Sequence, residues 1–259
     1  MLENLTAINL ALLGLAMFSA GFVDAIAGGG GLIQTPAMLL SFPDRNPVEV
    51  VATSKTAAFF GTSTAAIKYR KSIKTDPKLL LAMVIPAFFG AALGAHLASR
   101  ISSESYKSSI FFVMIAIFIY TLVKPELGKN HVEKYAPDKL KAIGAVAAFI
   151  IGFYDGLIGP GTGTILMIAL VAIMGFAFVG ASAIAKVVNA TTNLASIIVV
   201  GLTIGVMWKL GLLLGVANLA GGYMGSHMAI KKGSSFIRIF YLIVTGLLIL
   251  RLGYSLYIE

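Results

Sequence analysis

The chain has no cysteine among its 259 residues, a single tryptophan, and only 12% charged residues. Without cysteine there are no disulfides, no thiolate nucleophile and no Cys-ligated zinc or iron–sulfur centre. The three histidines, His96, His131 and His227, stand far apart in sequence, so no metal and no cofactor are expected. No nucleophile with an accompanying base appears at a plausible spacing either, which argues against an enzyme. A soluble domain carries about 25% charged residues. Half that amount, set against 58% hydrophobic residues, cannot cover a core of this size with polar surface.

What the chain has instead is long uncharged runs, at residues 5–23, 25–43, 79–99, 156–185, 187–208 and 210–230. Each is long enough to cross a bilayer as a helix, which takes roughly 17–25 residues. The expectation is an all-α polytopic membrane protein. Acidic residues are scarce, 11 against 20 Lys and Arg, for a net charge of +9. The cations sit in short loops between apolar runs, which reads as topology signals and not as a nucleic-acid surface. The first apolar stretch follows MLEN, lacks a basic flank and is longer than a signal-peptide core, so it is expected to remain as the first helix.

Sliding the chain along itself until Gly21-Phe22 falls on Gly152-Phe153 also aligns Asp24 with Asp155, Gly28 with Gly159, Gly30 with Gly161 and Lys55 with Lys186. The same shift aligns Gly90, Gly94 and His96 with Gly221, Gly225 and His227, without insertion. Two repeats follow, at 1–128 and 141–259, joined by a cytoplasmic linker at 129–140. Each is expected to hold five segments, placed in the first at 5–27, 32–42, 48–67, 79–99 and 105–123. The second segment of each is too short to cross and is expected as a broken or re-entrant half-helix. An odd number of segments inverts the second repeat. With 68–78, 124–141 and 231–238 on the cytoplasmic side, 13 loop cations lie inside and only Arg45, Arg100, Lys107, Lys209 and Arg251 outside, as the positive-inside rule requires. A parallel arrangement gives a slightly weaker bias.

The half-helices follow GFVDAIAGGGGLIQTP and GFYDGLIGPGTGTIL. Glycine and proline at this density interrupt a helix, and the freed backbone groups are tolerated at membrane depth only beside protein or a water-lined cavity. The new helix starts, at Gly31-Leu32 and Thr162-Gly163, present unpaired N–H groups and a positive dipole end, which attract anions. Gly30, Gly31, Gly161, Thr162 and Gly163 are therefore candidate binding positions. Neither cluster continues into the GK[ST] of a nucleotide loop.

Lys55 and Lys186 lie inside apolar stretches, where a cation costs roughly 2.5–3.5 kcal/mol. Ser182, Lys186, Asn189 and Asn193 share one helix face, and Lys55, flanked by Thr53 and Ser54, heads the matching face with Ala58 and Thr62. Substrate contact is expected at Lys55, Lys186, Asn189, Asn193, Ser54 and Thr53, and the site should be lopsided because the second half supplies more amides. The alternative is a structural lysine paired with Asp24 or Asp155. Those two aspartates could also cap the half-helices or carry a coupling proton. Gly90-x-x-x-Gly94 and Gly221-x-x-x-Gly225 read as close helix contacts, with His96 and His227 in structural or interfacial roles.

At GFVDAIAGGGGLIQTPAMLL, VATSKTAAFFGTSTA, GFYDGLIGPGTG and ASAIAKVVNATTNLAS the chain resembles the TauE/SafE family of sulfite and organosulfur anion exporters, especially its YfcA-like branch. The resemblance covers nearly the whole length. It implies a multi-pass inner-membrane permease for sulfite, sulfonates or related anions. The family's glycine motifs correspond to residues 28–31 and 159–163, and its polar helix faces to residues 53–55 and to Lys186, Asn189 and Asn193. The expected partners are a small anionic substrate and membrane lipid; exposed glycine faces permit a homodimer. A proton- or cation-coupled exchanger working through the two aspartates is the alternative function.

Overall fold

The computed structural model describes residues 6–123 and 135–232, together with Leu247, Leu250 and residues 253–255. The described residues form helices and connecting turns, with no strand among them. The order is α1 (Ala7–Ala27), α2 (Gly31–Ser41), α3 (Pro47–Ser72), α4 (Pro77–Ala98), α5 (Ser103–Val123), α6 (Pro137–Leu157), α7 (Thr162–Ile168), α8 (Phe178–Thr203) and α9 (Trp208–Lys232). A π-helical turn, Ala169–Ile173, prolongs α7. The expected fifth segment of the second half falls largely outside the described residues, as do His131, Lys124, Lys129, Lys134, Arg238 and Arg251.

Local chemistry accounts for the helix limits. The Asn46 side chain accepts from the Val48 N–H at 2.9 Å and Asp76 accepts from Lys78 at 2.9 Å, each followed by proline at the first helical position. Helix α3 carries Glu49 in its first turn and Arg70 and Lys71 in its last, signs that suit the helix dipole. At the other extreme α1 ends in Gly28, whose φ of 79° is the left-handed conformation that glycine adopts without strain.

Helices α1, α4, α6 and α8 are each long and apolar enough to cross a membrane. Their outward faces are apolar: Ile8, Leu12 and Leu15 on α1, Leu81 and Phe89 on α4, Val146 and Ile150 on α6, and Leu202 on α8 are all exposed. The buried set, by contrast, includes Asp24, Lys55, Asp155, Lys186, Asn189, Asn193 and Asn218. Polar groups inside and apolar groups outside is the distribution of a protein whose solvent is lipid.

The starts of α2, α3 and α4, at 31, 47 and 77, recur at the repeat offset in α7, α8 and α9, at 162, 178 and 208. Packing interleaves the two sets. Helix α9 lies along α1 and α3, while α4 lies along α6 and α8. Both seams are lined with glycine. A Cβ at Gly90 or Gly94 would collide with the backbone of Phe149 and Phe153 on α6, and one at Gly221 or Gly225 with Phe18 and Phe22 on α1. Such backbone contact is how small residues bring membrane helices together. The apolar core falls into two clusters, one drawing mainly on α1, α2, α3 and α9 with residues of α4, α5 and α8, the other on α4, α6, α7 and α8.

Helices α3 and α8 meet each other at the centre. Lys55 on α3 bonds Ser196 on α8, and Tyr69, further along α3, approaches Ser182. As one helix advances the other recedes, so the two cross in opposite directions.

Candidate functional site

Both helix breaks come to the crossing of α3 and α8. Gly28 and Gly163 are in backbone contact, so that no side chain fits at either, and the Thr164 N–H donates to the Gly28 carbonyl at 3.1 Å. Glycine is required here by proximity as much as by turn geometry. Gly31 in turn faces Pro160 and Gly161 of the second break.

Each buried lysine is ion-paired with the aspartate of the other half. The Lys55 ammonium lies 3.0 Å from Asp155 Oδ2; it also donates to the Asp155 carbonyl and, at 3.0 Å, to the Ser196 hydroxyl. Lys186 donates to Asp24 Oδ2 at 3.0 Å and to the Asp24 carbonyl. Lys55 and Lys186 are separated by the repeat offset, and so are Asp24 and Asp155, so the two pairs are one contact made twice. Both aspartates occupy the last turn of their helices, α1 and α6, where the dipole end is negative. Each ammonium therefore meets a carboxylate and a helix C-terminus together. Hydroxyls complete the carboxylates: Thr162 donates to Asp155 Oδ1 at 2.7 Å and Thr62 to Asp24 Oδ2 at 3.2 Å.

A cavity lies between these pairs. Asp24, Lys55 and Asp155 line it, with Gly28, Gly30, Gly31, Gly159, Gly161, Thr162 and Gly163 from the breaks, Ala58 and Thr62 from α3, and Asn189 and Asn193 from α8. Gln34 and Thr35 of α2 and Asn218 of α9 complete it. About 30 Å³ is open to the centre of a water molecule, room for one or two waters.

The polar atoms facing this space are short of partners. Among the described residues the Asn193 amide and the Thr35 hydroxyl make no side-chain hydrogen bond, and the Gln34 amide only accepts one, from Asn218 at 3.3 Å. Buried polar groups are nearly always satisfied. These side chains border the cavity and, among the described residues, have donors that no protein acceptor takes up.

Of the positions expected from sequence, Lys55, Asn189, Asn193, Gly30, Gly31, Gly161, Thr162, Gly163, Asp24 and Asp155 line the cavity. Lys186 sits behind it, with no exposed surface, against Asp24. Thr53 and Ser54 are also buried away from it. Thr53 ties α3 to the start of α9, accepting from the Met207 N–H at 3.0 Å and donating to the Glu49 carbonyl at 2.8 Å. The Ser54 hydroxyl is buried without a hydrogen-bond partner among the described residues. His96 and His227 are both exposed, near the ends of their helices.

The sequence matches the family model described as "Sulfite exporter TauE/SafE" over residues 13–252. The chain belongs to the TauE/SafE family. Curated relatives span it almost end to end. A probable membrane transporter protein of Sinorhizobium is 36% identical over 94% of this chain and 92% of its own length. One of Haemophilus influenzae is 34% identical over 95% of each, and YfcA of Escherichia coli K12, also a probable membrane transporter protein, is 33% identical over 94% of this chain and 90% of its own. No solved structure matches. As a TauE/SafE member the protein is a membrane transporter and not an enzyme.

Gln34, Thr35 and Asn218 are cavity residues that sequence reasoning passed over. Each interrupts an apolar stretch of its helix, which is the available signal. Their counterparts in the other repeat are Ile165, Leu166 and Ala87, so a search for paired positions hides them.

Proposed function

We propose that this TauE/SafE transporter moves a small anion, sulfite or a sulfonate, across the inner membrane by alternating access, and that the cavity between the helix breaks is its binding site. One observation carries the reading: free amide and hydroxyl donors of Gln34, Thr35, Asn189 and Asn193 converge on a buried cavity beside the Lys55 ammonium. Donors without acceptors, next to a cation and the N-terminal end of α2, suit an anion.

The repeats are inverted in this proposal, at 1–128 and 141–259 with a cytoplasmic linker at 129–140. Support comes from the opposed crossing of α3 and α8, which occupy the same place in the two halves. In inverted-repeat transporters the substrate binds at the repeat interface between broken helices, and rocking of one half against the other exposes it to each side in turn. Here the interlocked pairs Lys55–Asp155 and Lys186–Asp24 span that interface.

Charge balance defines the role of the cavity-lining pair. With Lys55 bound to Asp155 the site has no net positive charge to offer. An anion that takes the Lys55 ammonium as its counter-ion displaces Asp155, which is left as an uncompensated buried carboxylate unless it takes up a proton. Anion binding and proton uptake are thus linked through one side chain. Asp24, held by Lys186 and Thr62, is the second candidate for that proton.

The test is flux in proteoliposomes with sulfite, an alkyl sulfonate, chloride and a monovalent cation as separate solutes, with and without a pH gradient. Sulfite or sulfonate flux that responds to the gradient supports the proposal. Cation flux without anion flux would establish instead an exchanger working through the aspartates.

A further inference from the structure

A second feature lies away from the cavity, where the C-terminal ends of α3 and α9 meet. The Lys68 ammonium sits 3.5 Å from the centre of the Tyr223 ring and donates to the Tyr223 carbonyl at 3.2 Å, so a cation from α3 is fixed over the face of α9. His227, one turn beyond Tyr223, lies in the field of both Lys68 and Lys231. Among the described residues neither lysine has a carboxylate partner. Two ammonium groups on either side of an imidazole, gathered without an acid, repel one another unless an anion joins them, and the ring can then donate to it as well.

The rest of this face says which anion. Leu212, Val216, Leu219 and Tyr223 follow one another along the exposed side of α9 and are 40–68% exposed, and His227 and Lys231 continue the same line. Apolar turns give way to an aromatic ring and then to basic groups, the gradient that a helix presents to acyl chains, interface and headgroups in turn. The matching positions in the first repeat carry Ala92, His96 and Arg100, on α4 and just beyond it, and Val199 of α8 stands where the second repeat would need a counterpart of Lys68. That corner lacks both the aromatic ring and the bridging lysine. We propose that Lys68, His227 and Lys231 bind the phosphate of an anionic phospholipid whose chains lie along α9. This site is independent of the transport cavity.

Native mass spectrometry of detergent-purified protein, titrated with phosphatidylglycerol or with phosphatidylcholine of the same chains, tests it. The wild type should hold phosphatidylglycerol about 10-fold or more tightly than phosphatidylcholine. Lys68→Gln with Lys231→Gln should bring the two within about 2-fold, while Arg100→Gln at the matching corner leaves the preference intact. Unchanged thermal unfolding confirms that the variants are folded; Lys231→Gln alone, should the double variant fail to fold, is expected to lose about half of the preference on a logarithmic scale. Equal binding of both lipids by the wild type, or a preference that survives the double substitution, overturns the proposal. So does displacement of the lipid by millimolar inorganic phosphate, which would make this a site for a free anion.

Discussion

The two Lys–Asp pairs are the same contact in two settings. Lys55–Asp155 faces the cavity and shares it with amide donors; Lys186–Asp24 has its lysine sealed behind the wall. Symmetry of position has been kept while symmetry of surroundings has been lost. The Lys186 ammonium has no exposed surface and cannot meet a solute, although Asp24 reaches the cavity, whereas the Lys55 ammonium at the cavity edge can exchange partners. In the proposed mechanism the Lys186 pair braces the crossing and the Lys55 pair exchanges partners, although the two lysines hold matching places in the repeats.

The strongest way to break that comparison is to remove each lysine alone. Lys186→Ala leaves Asp24 with its charge buried and only the Thr62 hydroxyl at 3.2 Å to answer it. Loss of one partner of a buried pair costs roughly 3–5 kcal/mol, so thermal unfolding in detergent should drop sharply and the yield of folded protein with it. A stable Lys186→Ala protein would show that this pair does not brace the crossing.

Neutral replacement of whole pairs separates the roles next. Lys186→Met with Asp24→Asn should recover most of the lost stability, since no charge is stranded, and should keep sulfite flux within about 10-fold of wild type. Lys55→Met with Asp155→Asn should fold equally well, yet lose flux by about 100-fold, because a hydrogen bond from a charged group is worth roughly 1.5–3 kcal/mol to the bound anion. Equal losses in the two double variants would remove the distinction.

Much of this was legible before any coordinates. Uncharged runs fixed the membrane class, and glycine clusters at 28–31 and 159–163 marked the two breaks within a residue of the observed starts of α2 and α7. The repeat offset pointed to Lys55, Lys186, Asp24 and Asp155, because a duplicated charge at membrane depth is hard to keep by accident. Two things were not legible. Which lysine meets which aspartate depends on how the halves interleave, and a linear pattern holds no record of the exchange. Gln34 and Asn218 escaped for the opposite reason: comparison of the halves finds what they share, and these two are present in one half alone.

That observation supplies a milder test. Gln34→Ile installs the residue found at the matching position, Ile165, and takes away the amide that faces the cavity. One neutral hydrogen bond is worth about 0.5–1.5 kcal/mol, so the apparent KM for the transported anion should rise about 2- to 10-fold with little change in thermal stability. Asn218→Ala should raise it similarly and also destabilise the protein, since the Asn218 amide holds the Met17 carbonyl of α1 at 3.0 Å. An unchanged KM in Gln34→Ile would place the anion on the α8 side of the cavity, against Asn189 and Asn193.

The smallest expected effect returns to the two carboxylates. Thr162 donates to Asp155 at 2.7 Å and Thr62 to Asp24 at 3.2 Å, and the shorter bond serves the carboxylate whose other oxygen has no hydrogen bond. Thr162→Val should therefore cost more than Thr62→Val, with losses of about 1–2 kcal/mol and about 0.5–1 kcal/mol in unfolding free energy. Asp24 keeps its lysine hydrogen bond when Thr62 is lost, but Asp155 without Thr162 retains only the ion pair that the anion is proposed to displace. Thr162→Val should for this reason also alter how flux depends on pH, while Thr62→Val leaves that profile in place. Identical profiles in the two variants would mean that the coupling proton does not reside on Asp155.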